Sequence, residues 1–254
     1  MSGVVDKTDM EKLAFLICGV QKGGTTALWS FLRRHPTIGF GPRKEMHFFD
    51  DETLPWENPP YDDLHREYEG FARGILRGDA TPIYTYWPPC IARIHAYNPA
   101  VKLIISLRDP VERAYSNWRM EMSREGDSLP FGEAIRGGRE RLLAQAETAH
   151  IRRIFGYVER GFYAEQLDRV FDFFPREQVL LLRQTDLKTR HGETLNQICD
   201  FLRIARFETP PKHEIVFSHE NTPRAPMAPE DARYLRNLYT EDALKLRDKY
   251  GITF

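Results

Sequence analysis

Apolar and polar positions follow two rhythms along this chain. Leu13 to Cys18 is a short, unbroken apolar run that ends at Gly19, and the stretch after it sets Leu28, Phe31 and Leu32 on one helical face. A continuous run of that length, bounded by a turn residue, reads as a strand buried on both faces, and the spacing that follows reads as a helix packed on it. The pattern returns at Val101 to Leu107 (VKLIISL), where Arg108, Asp109 and Pro110 lead into a helix predicted to run to about Glu125. Asp109 can cap that helix, Pro110 suits its first position and Glu112 completes a capping box. A third buried strand is expected over Val179 to Leu182, between a helix over Tyr163 to Phe174 and another from about Glu193 to Leu202. Strands alternating with helices predict an α/β fold, a central parallel sheet covered by helices on both faces.

Composition narrows this without redirecting it. With 254 residues, 41% of them hydrophobic and 12% aromatic, the chain can bury a sizeable core, and we read residues 1–254 as one domain with 1–11 a flexible N-terminus. The net charge of -1 leaves no overall basic field, which argues against nucleic acid as a partner and requires any anion site to be local. Cys18, Cys90 and Cys199 are widely spaced and form no CxxC or Cys/His cluster, so neither a disulfide framework nor a zinc site is expected and a cytoplasmic setting fits. No run reaches the roughly 20 apolar residues of a membrane span, and no targeting segment, internal repeat or low-complexity stretch is visible. Oligomeric state has no signature here. Asp50 to Pro60 and His219 to Pro229 read as loops. The polar, arginine-rich stretch from Phe131 to Ile154 has a helical pattern and is open to two readings, a cover for an acceptor cleft or a solvated excursion.

The chemistry begins at the first strand-to-helix turn, Gly19-Val20-Gln21-Lys22-Gly23-Gly24-Thr25-Thr26. Glycines let a backbone turn its N–H groups inward, and the helix that follows presents its positive end, so the turn makes an anion cradle. Gly19 and Gly24 have the spacing of a Walker A loop, but Thr25 stands at the lysine position and Lys22 sits three residues earlier. A nucleoside triphosphate enzyme wants that lysine on the β- and γ-phosphates, together with a magnesium ion. A singly charged sulfuryl group needs no such metal.

GVQKGGTTALWSFLRRHP resembles the 5′-phosphosulfate-binding motif of the sulfotransferase family, in particular the branch of the heparan sulfate sulfotransferases and their bacterial relatives. The resemblance implies a P-loop-like sulfotransferase fold. It also implies that Lys22, Gly23, Gly24, Thr25 and Thr26 hold the sulfate end of 3′-phosphoadenosine 5′-phosphosulfate, with Lys22 stabilising the bridging oxygen. At the end of the second strand, Arg108 and, near the second turn of its helix, Ser116 can both face the crevice where parallel sheets bind ligands, and a guanidinium with a hydroxyl suits a phosphate. LRDPVERAYSNW is similar to the family's 3′-phosphate motif, whose arginine and serine fall on Arg108 and Ser116. Arg113 shares that helix face and is open to two readings, added charge near the phosphate or a helix-face ion pair. The resemblance also places Arg224 in a loop closing over the nucleotide.

The acceptor side is read from Lys44-Glu45-Met46-His47-Phe48-Phe49-Asp50. Glu45 and His47 are two residues apart, so on an extended segment they share a face while Met46 and Phe48 take the other. Burial beside Phe48 and Phe49 is expected to raise the carboxylate's pKa toward neutrality, as suits a general base. The stretch is similar to the family's KExHFFD, in which the glutamate is the catalytic base; His47 is then an orienting contact, or the base itself. Gly78-Asp79-Ala80-Thr81-Pro82-Ile83-Tyr84 corresponds to the family's next block but has Ala80 where heparan-modifying members carry a lysine. That change puts a polyanionic acceptor in doubt. It leaves Asp79 and Tyr84 open as acceptor contacts, or Asp79 as a brace of the sheet. The partner expected is a small-molecule or glycan acceptor bearing a hydroxyl, and the aromatic residues Trp56, Tyr61, Tyr84, Tyr86 and Trp87 suit either a ligand or the core. Gly161-Phe162-Tyr163 with Leu167 resembles a structural stretch of the family. Two other functions stay open: a P-loop kinase with Asp79 on magnesium, and a non-catalytic nucleotide-binding scaffold.

Overall fold

The apolar run near the start enters the sheet at its centre. β1 (Phe15–Gly19) is wholly buried and pairs in parallel with β3 (Leu76–Asp79) on one side and β4 (Lys102–Leu107) on the other. β2 (Ile38–Phe40) lies outside β3, and β5 (Val179–Arg183) lies outside β4. The order is β2-β3-β1-β4-β5, with every pairing parallel. The computed structural model describes residues 12–138, 140, 142, 153–212 and 226–254. From β1 the chain builds one flank and then crosses to β4 to build the other. The carboxyl ends of β1 and β4 therefore border the topological switch point, where open parallel sheets bind ligands.

Both faces of the sheet are covered. Leu16 and Cys18 of β1, with Leu103 and Ile105 of β4, pack against Ile91 and Ile94 of α3 (Pro88–Tyr97) and Leu167 and Val170 of α6 (Tyr163–Phe171). The alternate residues Phe15, Ile17 and Ile104 face the opposite layer, Leu28 and Phe31 of α1 (Thr25–Leu32) and Leu195 and Ile198 of α8 (His191–Leu202). This period-two division of continuously apolar strands is what burial on two faces demands. α4 (Pro110–Ser123) starts as expected, the Asp109 carboxylate accepting from the amides of Val111 and Glu112. It joins α5 (Phe131–Arg136) and α9 (Pro229–Leu238) in a third cluster around Phe131, Ala134, Ile135 and Leu235.

The helices predicted to reach Glu125 and Phe174 end at Ser123 and Phe171. The start of the Phe131 to Ile154 stretch is core rather than a solvated face, since Phe131, Ala134 and Ile135 are buried. Residues 139, 141 and 143–152 and the loop bearing Arg224 lie outside the described residues. Among the described residues no helix is long and apolar enough to cross a membrane.

Candidate active site

At the end of β1 the chain turns through Val20 to Gly24 and enters α1. The Val20 amide donates to the Ser106 carbonyl (2.9 Å), the Gly23 amide to the Val20 carbonyl (2.8 Å), and the Ser106 hydroxyl to the Gly23 carbonyl (2.7 Å). β4 thus clamps the turn. Gly23 has no room for a side chain, because a Cβ there would sit 2.2 Å from the Ser106 carbonyl oxygen. Gly24 adopts φ 91°, a left-handed conformation suited to glycine. The first turn of α1 carries neither an acid nor a side-chain cap, so its amides and positive end open toward the turn. Lys22 is itself left-handed (φ 68°), and its Nζ lies 3.6 Å from Met120 Sδ. Burial, aided by the charges of Arg108 and Arg124, pushes the Lys22 pKa down to about 8, while Glu121 and Glu45 pull against them.

Arg108 follows β4 directly and reaches back to this turn. Its guanidinium lies 3.5 Å from both the Lys22 carbonyl and the Glu112 carboxylate, and the Tyr163 hydroxyl donates to its backbone carbonyl (2.9 Å). Burial lowers its pKa, as expected of a cation short of compensating charge. Ser116 is half-buried two turns into α4. Arg113 is not a helix-face ion pair: it is fully buried, donates to Asn117 Oδ1 (3.1 Å) and to the Tyr157 carbonyl, ties α4 to the loop beside it, and its charge acts on Arg108.

The KEMHFFD stretch corrects two expectations. It is not extended, since Glu45 and His47 have left-handed φ of 63° and 58°. Non-glycine residues hold such angles only where their surroundings fix them. Here the buried Asp79 carboxylate accepts from the Met46 amide (3.4 Å), and Asp50, also buried, lies 3.0 Å from His47 Nδ1. Even so, Glu45 and His47 meet, with Nε2 to Oε2 at 3.5 Å, and Lys44 is ion-paired with Glu45. Nor is the Glu45 pKa raised. Burial pushes it up, but the hydrogen bond from His47 and the charge of Lys44 outweigh that, and it falls to about 2. His47, held by Asp50 and then by Glu45 against the opposing effect of burial, rises to about 9. The pair is a carboxylate beside an imidazolium at neutral pH.

Asp79 is a brace, not an acceptor contact or a metal ligand. It is 2% exposed and accepts from the Ala80 amide (2.6 Å), the Thr81 hydroxyl (2.9 Å) and the Tyr84 hydroxyl (2.9 Å) as well as from Met46. Tyr84 is fully buried by the same network and Trp87 is core, while Trp56, Tyr61 and Tyr86 pack half-buried against that core. Among the described residues no cluster of three or more His, Cys, Asp or Glu could hold a metal ion.

Sequence reasoning missed further residues here. Arg153 pairs with Asp50 (2.7 Å), Arg160 donates to Gln21 Oε1 in the turn, and the buried Glu121 acts on Lys22. Asp50 and Gln21 lie within the quoted motifs, whereas nothing in the local sequence marks the two arginines or Glu121.

A strand-turn-helix anion cradle clamped by the next strand, with a paired carboxylate and imidazole nearby, finds its counterpart in known proteins. The family model of the sulfotransferase domain matches residues 13–223. The chain belongs to the sulfotransferase family. Heparan sulfate glucosamine 3-O-sulfotransferase 6 of Mus musculus is 33% identical over 76% of this chain and 53% of its own length. Heparan sulfate glucosamine 3-O-sulfotransferase 3B1 of Homo sapiens is 33% identical over 76% of this chain and 47% of its own. The chain thus spans about half the length of the curated relatives it matches. A sulfotransferase from Alicyclobacillus acidocaldarius superposes with a TM-score of 0.82 at 25% identity, covering 96% of this chain and 98% of that one. The five-stranded parallel sheet flanked by helices is the sulfotransferase fold.

Proposed function

We propose that this sulfotransferase-family chain moves the sulfuryl group of 3′-phosphoadenosine 5′-phosphosulfate to the hydroxyl of a glycan or small-molecule acceptor. The observation that carries the reading is the turn itself, clamped by Ser106 of β4 and reached by Arg108, whose guanidinium lies 3.5 Å from the Lys22 carbonyl. Glu45, paired with His47, adds its charge to those acting on Lys22. A candidate base, the cation of the cradle and a second phosphate-binding group therefore bear on one volume, as a single in-line displacement needs.

In that reaction the acceptor oxygen bonds to sulfur as the bond from sulfur to the bridging phosphate oxygen breaks, and adenosine 3′,5′-bisphosphate leaves. Glu45 receives the hydroxyl proton. A base near pKa 2 is far from the ideal for pulling a proton early, so Glu45 acts through position and charge, taking a proton already acidified by bond formation to sulfur. His47, charged at neutral pH, keeps Glu45 ionised and aimed. Lys22 and the amides of Gly24, Thr25 and Thr26, in the turn that Gly23 shapes, neutralise the sulfuryl oxygens and the departing phosphate, while Arg108 and Ser116 hold the 3′-phosphate, and Arg224 closes over the nucleotide. Asp79 has every donor it needs from protein groups, which disfavours a magnesium-dependent kinase. Ala80, buried at 1% exposure, adds no cation on the acceptor side and favours an acceptor less charged than a sulfated polysaccharide. Cys18, Cys90 and Cys199 are free and buried, in keeping with a reducing cytoplasm.

The test is transfer of labelled sulfuryl groups from the donor to fractionated extracts, with the product identified by mass. Glu45→Gln should reduce turnover on that product by about 100-fold or more while adenosine 3′,5′-bisphosphate still binds. Unchanged turnover in the variant removes Glu45 from the mechanism.

A further inference from the structure

Between the donor loop and the base runs a series of hydrogen bonds and ion pairs that passes through the backbone and side chain of Arg153. Gln21 accepts from Arg160, which also donates to the Arg153 carbonyl (2.9 Å). Arg153 donates to Asp50, at 2.7 Å to its carboxylate and 2.8 Å to its carbonyl. Asp50 lies 3.0 Å from His47 Nδ1, and His47 Nε2 lies 3.5 Å from Glu45. Arg160 and Asp50 are buried, at 3% and 0% exposure, while the Arg153 side chain between them is 30% exposed.

Arg160 is an unusual buried cation. Its guanidinium rests on the face of Tyr86, 4.9 Å from the ring centroid, and its Nε is buried with no hydrogen-bond partner. Among the described residues its hydrogen bonds go to a neutral amide and a carbonyl, and Glu121 acts on it only through space. Burying a charge without a hydrogen-bonded counter-ion is costly. An anion seated in the adjacent loop would offset that cost.

We propose that Arg160 and Arg153 are positioning residues that register the base against the donor loop, so that filling the donor site is felt at the His47 imidazole. This rests on the sulfotransferase reading of the site. The guanidinium is a rigid planar fork, so an anion that draws on the Gln21 side of Arg160 also changes its hold on the Arg153 carbonyl. Asp50 has no solvent to turn to, and any change in Arg153 alters how it holds His47. The charged groups facing His47 are Asp50 and Glu45, with Arg153 behind the first and Lys44 paired to the second, while Asp79 fixes the intervening Met46 amide.

The experiment needs no acceptor. The imidazole nitrogen resonances of the full chain, with His47 assigned through His47→Asn, are recorded with and without adenosine 3′,5′-bisphosphate, and binding is followed in parallel by calorimetry. In the unaltered protein the nucleotide should shift the His47 signals. In Arg153→Met, which cuts the series between Arg160 and Asp50 away from the donor loop, the nucleotide should still bind but the His47 shift should be lost; Arg153→Gln repeats the test with a polar side chain. Binding with no His47 shift in the unaltered protein, or an equal shift in Arg153→Met, overturns the positioning role. Absence of nucleotide binding to the unaltered protein instead overturns the donor assignment.

Discussion

Replacing Asp79 by alanine leaves four buried donors without their acceptor: the amides of Ala80 and Met46 and the hydroxyls of Thr81 and Tyr84. A buried donor left unsatisfied costs about 1–3 kcal/mol. The hydroxyls can rotate and water can enter, so the lower end applies, and the sum is about 4 kcal/mol. At about 2–4 °C per kcal/mol for a chain of this size, the midpoint of thermal unfolding should fall by about 8–16 °C. Asp79→Asn keeps one oxygen for the two amides and offers its nitrogen to hydroxyls that can turn to accept, so it should cost about 1 kcal/mol. The assay is a thermal scan by circular dichroism on all three proteins without ligand. A fall of under about 2 °C for the alanine variant would refute the brace and return Asp79 to the pool of residues free to bind something else.

Other consequences follow from the same geometry. Lys22 binds anions as the protonated form and has its pKa lowered to about 8, so affinity for adenosine 3′,5′-bisphosphate should be high below that pH and decline above it; Lys22→Met should flatten the profile, and a flat profile in the unaltered protein contradicts the assignment. The raised pKa of His47 gives stability that is full below its ordinary value near 6.5 and lost as pH rises through about 9, whereas the depressed Glu45 gives stability lost only as pH falls toward about 2. Thermal stability should therefore decline between those His47 limits, and His47→Gln should remove that slope. Gly23→Ala drives a methyl to 2.2 Å from a carbonyl fixed in β4, so it should destabilise the fold by about 1–3 kcal/mol and abolish nucleotide binding, and retained affinity would show that the turn has slack.

Much of this was legible in the sequence because the informative segments are local. The β1 turn with α1, and the Asp109 cap with α4, are set by residues adjacent in the chain, and periodicity together with cap chemistry finds them. β2 and β3 escaped because β2 has three residues and the run into β3 is broken by Arg77 and Gly78. Gly78 is required by packing invisible in sequence, since a Cβ there would lie 2.3 Å from the ring of Phe15. The meeting of Glu45 and His47 was foreseen from their spacing, but for the wrong backbone. A tertiary contact, Asp79 to the Met46 amide, holds a turn where alternation suggested a strand. The Glu45 pKa ran opposite to expectation because burial was weighed without its charged neighbours, and Arg153 and Arg160 reach the site from far along the chain.

The central claim, that the β1 turn and Arg108 together hold a 3′-phosphorylated sulfuryl donor, is tested most directly by calorimetric titration. Adenosine 3′,5′-bisphosphate should bind without magnesium and more tightly than ADP, and Arg108→Ala should erase that preference by removing the 3′-phosphate contact. Tighter binding of ADP, or binding only when magnesium is present, would contradict it.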